Sequence, residues 1–180
     1  MNVPRHNKAS LKIFIPPVAI LLLATMFILL APSEATIGDG LKIVVIHVSL
    51  IWTGMLGLVL TGIISMVIIA WQDDRLSSWM ECVAWVSLVV FALGVGANLI
   101  AEIVNWGGIA WNEPQKAANL NLLALAIIIQ VIANWLGRKW LQGVLHPVVA
   151  VVWVTVTTEL QLHPSGAVSS SASGNIRFTF

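Results

Sequence analysis

Polar positions are sparse along this chain, and the gaps between them set its expected architecture. Five apolar stretches stand out, at 13–31, 43–71, 83–104, 117–136 and 144–160. A bilayer core about 30 Å thick needs about 20 mostly apolar residues per helix, so each stretch reads as one span. The second is long enough to cross with tilt or to protrude. The fifth is rich in Val and Thr, which in water would suggest a strand. In lipid an open strand leaves its backbone groups unpaired, so a helix is expected there. Pro147 fits the first turn of that span, where no backbone donor is needed. The expected fold class is all-α: an integral membrane bundle of five transmembrane helices within residues 1–164. Residues 165–180 form a tail. Its first part is rich in Ser, Gly and Ala and reads as a flexible linker. Residues 175–180 alternate like a short strand suited to docking.

Composition sharpens this picture. Of the 180 residues, 58% are hydrophobic and 9% charged, where a soluble domain has about 25% charged. A soluble enzyme is excluded on that ground. A nucleic-acid binder is excluded too, because the net charge of +1 offers phosphates no basic excess. The single cysteine, Cys82, rules out an internal disulfide, a thiolate metal cluster and covalent haem attachment. Tyrosine is absent and nine tryptophans are present, so Trp fills the aromatic roles at the membrane interface.

Lys and Arg set the orientation. With the N-terminus inside, the cytoplasmic segments hold Arg5, Lys8, Lys12, Arg75, Arg138 and Lys139, and the outer ones hold Lys42, Lys116 and Arg177. An odd number of spans then puts the C-terminus outside. Residues 32–42, residues 105–116 and the tail share that outer face. The first span also has the basic flank of a signal peptide, but its apolar block is long and Ala31-Pro32-Ser33-Glu34-Ala35 is a poor cleavage site, so an uncleaved anchor is expected.

The histidines carry the candidate chemistry. His6 lies in the cytoplasmic arm as a solvated residue. His146, at the cytoplasmic start of the fifth span, is expected to be structural and lies a bilayer thickness from the outer face. His47 sits about one turn inside the outer end of the second span. It shares a helical stripe with Gly54, Thr61 and Ser65, with Gly57 beside it, and small residues on such a stripe favour close helix packing. His47 therefore faces protein. It is either a buried, hydrogen-bonded histidine or a ligand at the outer mouth. His163, in Leu162-His163-Pro164, falls on the same face at similar depth. Two neutral imidazoles at an apolar, Trp-containing site suit a haem iron with two axial ligands.

Between them lies Asn105-Trp106-Gly107-Gly108-Ile109-Ala110-Trp111-Asn112-Glu113-Pro114. The paired glycines and the proline break the helix, and two indoles sit at headgroup level. The segment is either an interfacial anchor or a flat surface for a planar ligand, with Asn112 and Glu113 at its polar edge. Glu102 and Glu159 lie near the outer ends, where they are expected to reach water. Asn98, Asn119, Gln130 and Asn134 are expected to join helices by hydrogen bonds. No charge lies at mid-membrane, which argues against a pump or channel. No mid-span histidine pair suits a cytochrome b.

This order, an Ile-His-Val at the outer face, a Trp-Gly-Gly…Pro loop and a later Leu-His, resembles the CcmC-like haem-handling proteins of cytochrome c maturation, with their tryptophan-rich WWD loop. The resemblance runs from about residue 36 to 164. Trp106, Gly107, Gly108 and Pro114 match the loop, and Glu113 stands for its Asp. Ile109, Ala110 and Asn112 stand where the family has Trp, with Trp111 close by. Ser49 replaces a proline common in relatives. The family also carries a sixth span after the second histidine, where this sequence has its Ser/Gly-rich segment.

The resemblance implies a protein of a prokaryotic cytoplasmic membrane that binds haem b non-covalently at the outer face and delivers it for c-type cytochrome biogenesis. His47 and His163 would be the axial metal ligands. Trp106, Gly107, Gly108 and Trp111 would form the platform, and Glu113 would contact the rim. A haem chaperone and ABC-type transporter subunits are the implied partners, and no enzyme activity is expected. The alternative is a non-catalytic subunit of a larger membrane complex that retains the fold without haem. A small transporter or quinone-site protein would need polar residues along a mid-membrane path, and only the Asn and Gln positions hint at one.

Overall fold

The computed structural model describes residues 9–31, 33, 38–71 and 73–159. Among these the chain forms five helices: α1 (Ala9–Leu30), α2 (Gly40–Trp71), α3 (Asp74–Trp106), α4 (Pro114–Leu136) and α5 (Lys139–Glu159). Each apolar stretch of the sequence coincides with one of them, in order. α2, α3 and α4 are long and apolar enough to cross a membrane, and α1 contains a shorter apolar run, Val18–Leu30.

Local chemistry fixes the helix ends. The Asp73 side chain caps α3 by accepting from the Arg75 amide at 2.7 Å. α3 stops at Gly107, whose φ of 73° is left-handed and whose N–H returns to the Ile103 carbonyl. Pro114 opens α4, and Gly137 closes it in the same left-handed way. α5 departs from the sequence expectation. It begins at Lys139, so Pro147 lies two turns inside the helix and not in its first turn. The apolar run marks where lipid contact would begin, whereas the helix itself starts earlier in polar sequence. Inside a helix proline supplies no N–H, so the Gly143 carbonyl lacks its usual partner.

The chain divides into two compact units, residues 1–42 and 43–180. In the first, α1 is apolar on every side, as a helix with lipid neighbours is. Past its end Lys42 pairs with Asp39 at 2.9 Å.

In the second unit, α2 is gripped by helices on two flanks. A Cβ at Gly54 would lie 2.6 Å from the Phe91 Cα, and one at Gly94 would lie 2.7 Å from the Ile51 nitrogen. α2 and α3 therefore run antiparallel with their backbones nearly touching. On the other flank Gly143 of α5 admits Ile69, and Gly62 faces the Pro147 backbone. Trp52 and Trp153 meet edge to face at 5.7 Å between centroids. Met55, Phe91, Leu122, Ile129 and Val149 form the centre of the core. The stripe read from sequence is buried as expected: His47, Gly54, Thr61 and Ser65 all lie inside. Thr61 and Ser65 donate to carbonyls of their own helix, Gly57 and Gly62, so their hydroxyls are satisfied without a neighbour.

Candidate functional site

The loop joining α3 to α4 is anchored from both helices. Glu102 in the last turns of α3 is 5% exposed, and Lys116 in the first turn of α4 is 3% exposed. They form an ion pair through Glu102 Oε2 and Lys116 Nζ. The same Oε2 accepts from the Ala110 N–H at 3.0 Å, and Lys116 Nζ donates to the Ala110 carbonyl at 2.6 Å. The second carboxylate oxygen accepts from Asn98 Nδ2 at 3.0 Å. The Lys116 ammonium also lies 5.8 Å from the centre of the Trp111 ring, within cation–π range. Two charges leave water here without a bare donor or acceptor, which is the condition for burying an ion pair.

The structure corrects three sequence expectations. Glu102 does not reach water, because Lys116 supplies a partner within the protein. Asn98 does not join two helices, because it serves Glu102 one turn along on α3. Asn134 is exposed, so it too makes no buried bridge. Gln130 does bridge helices, from α4 to His146 of α5.

The loop is also tied locally. The Trp111 N–H donates to the Ile109 carbonyl, and the Glu113 N–H to the Ala110 carbonyl, both at 3.1 Å. Trp106 and Trp111 are 67% and 65% exposed, so both indoles project from the surface. Gly107 is required by its positive φ, while Gly108 sits in open space. Glu113 is the half-buried N-cap of α4, though its side chain makes no capping bond.

His47 belongs to the same end of the unit. The register that sets Gly54 against Phe91 and Gly94 against Ile51 carries His47 to the level of Asn98. The buried imidazole thus shares a layer with the polar chain leading through Glu102 and Lys116 to the loop. His163 lies outside the described residues, as do His6 and the tail 165–180, so the two candidate ligands are described on one side only. Among the described residues no group of three His, Cys, Asp or Glu side chains is placed to hold a metal ion. A pair of histidines on a haem iron would not form such a group.

Just past the loop an apolar groove of about 490 Å³ runs down α4 along Pro114, Ala118, Asn121, Leu122 and Leu125, with Val152 of α5 on its far side. Its sequence signal is the pair of small residues Ala117-Ala118 beside an i, i+4, i+7 stripe.

His146 occupies the opposite end. Its Nδ1 lies 2.8 Å from the Gln142 carbonyl, which can only accept, so Nδ1 carries the proton. Its Nε2 faces Gln130 of α4 at 3.2 Å, and Gln142 Nε2 donates to Glu81 of α3 at 3.3 Å. The structural role expected of His146 fits this bonding. No protein-family model, curated protein or solved structure matches the chain.

Proposed function

We propose that the chain is a multi-pass protein of a prokaryotic cytoplasmic membrane that holds haem b non-covalently at the tryptophan-loop end and passes it on for c-type cytochrome biogenesis. Tryptophan placement supports the membrane reading. Trp71, Trp79, Trp135 and Trp140 are exposed at one end of the helices, and Trp106 and Trp111 at the other. A rise of about 1.5 Å per residue puts roughly 40 Å between Trp79 and Trp106, close to a bilayer with its headgroup regions. All five helices are read as spans, with the N-terminus inside by the Lys/Arg count.

The observation that carries the haem reading is the coincidence of three features at one end. His47 is held buried there, two exposed indoles project there, and the loop bearing them is pinned to the helices. These residues fit the group chemically. His47 would supply an imidazole nitrogen for iron, with His163 as the proposed second ligand. Trp106, Gly107, Gly108 and Trp111 would supply the platform, and Glu113 a polar edge. Bound haem would contribute the iron and the planar macrocycle, and the protein would bind, orient and release it. No bond-making by the protein is needed, and any ATP-driven step falls to separate transporter subunits, with a haem chaperone as recipient.

A spectrum of the detergent-purified protein tests this. A b-type Soret band is expected, weakened or shifted in both His47→Ala and His163→Ala. A colourless protein that takes up no added haem would overturn the reading and favour the non-catalytic subunit.

A further inference from the structure

We infer that Glu102 and Lys116 are positioning residues that hold the tryptophan loop in place before any ligand arrives. A buried ion pair stabilises a fold little better than apolar residues of the same volume. What this pair does that Leu and Met would not is grip a main chain. Both peptide groups of Ala110 are taken, the N–H by Glu102 Oε2 at 3.0 Å and the carbonyl by Lys116 Nζ at 2.6 Å. The two side chains come from different helices, so the crest of the loop is fixed against α3 and α4 at a single residue.

Four further features give the latch direction. The left-handed Gly107 and the helix-opening Pro114 fix the two feet of the loop. The ammonium lies 5.8 Å from the centre of the adjacent, exposed Trp111 ring and favours that placement of it. Asn98 continues the chain from Glu102 down to the level of His47. The loop crest and Trp111 are thus referred to one polar chain that ends at the level of His47. A wall ordered in advance spares a ligand the cost of ordering it. The ligand, a planar macrocycle, is taken from the proposed function; the latch itself stands apart from it.

Amide exchange of the full chain in nanodiscs, without haem, tests the latch. The Ala110 amide is expected to exchange at least about a hundredfold more slowly than an unprotected amide. Exchange at the unprotected rate in the wild type would overturn the inference with no variant needed. In the double variant Glu102→Leu/Lys116→Met the helices should stay packed, while Ala110 exchange rises about tenfold or more and Trp111 emission shifts. Lys116→Arg alone, which keeps a charged donor beside Glu102, should retain protection. Unchanged Ala110 exchange in the double variant would sink the proposal. Haem transfer to an apoglobin is read alongside, and the double variant should release haem about tenfold faster. If neither protein binds haem the functional reading fails, and the exchange data still decide the latch.

Discussion

Two buried polar clusters sit at opposite ends of the second unit, and they solve the same problem differently. At the tryptophan-loop end the cluster is ionic. Glu102 and Lys116 satisfy each other, Asn98 and both main-chain groups of Ala110. At the other end the cluster is built around neutral amides and an imidazole. Gln130, His146 and Gln142 link α4 and α5 and reach Glu81 on α3. Gln130 Nε2 there is buried with no partner among the described residues. With Nδ1 of His146 protonated, a turned Gln130 amide would donate its N–H to the lone pair of His146 Nε2. The ionic cluster organises a loop, while the neutral one joins helices and tolerates an unmade bond. Charge, with its higher cost of burial, appears where a main chain has to be held.

The largest test of this contrast removes half of the ionic cluster. Lys116→Met or Glu102→Leu alone strands a buried charge and should cost about 3–5 kcal/mol in denaturation of the micelle-bound protein. The double substitution should recover most of that loss, and failure to recover would mean that the pair is worth more than its loop contacts. Glycines sharpen the comparison next. Gly143→Ala drives a Cβ into Ile69 across the α2–α5 contact and should cost about 1–3 kcal/mol. Gly107→Ala meets no neighbour, and its left-handed backbone alone should cost about 1 kcal/mol. Equal losses would remove the distinction between a packing glycine and a conformational one. In the neutral cluster the double variant His146→Leu/Gln130→Leu removes both partners together and should stay within about 1 kcal/mol of wild type. A larger loss would show that the amide network does more than join helices. Smallest of all, Asp74→Asn breaks an exposed pair with Lys139 and should leave the melting curve unchanged.

Much of this architecture is legible in the sequence because lipid-length apolar runs leave few alternatives. The small-residue stripe through Gly54, Thr61 and Ser65 also foretells that His47 faces protein, and it does. Helix starts are less legible. Pro147 reads as a first-turn residue only if helix and apolar run begin together, and Lys139 to Gly143 form helix before that run. The partner of Glu102 is harder still. A carboxylate near a span end normally reaches water, and nothing local to residue 102 announces that the turn at Gly107 and Pro114 will bring Lys116 back onto it. The loop tryptophans are legible as surface features, whereas the latch beneath them is a tertiary fact.

Pro147 has a mechanical consequence. It interrupts the hydrogen-bond ladder of α5 one turn after Gly143, where that helix is pressed hardest against α2. Pro147 therefore divides α5 into two rods joined where one rung is missing. The first rod is clamped by Gly143, Gln142 and His146. The second carries Trp153 against Trp52 and leads, in chain order, toward residue 163. Bending at a proline costs little because the lost bond has already been given up. Both rods are seated, the outer one through Val149 and Trp153, so the missing rung lets α5 follow the surface of α2 with no bond left to break.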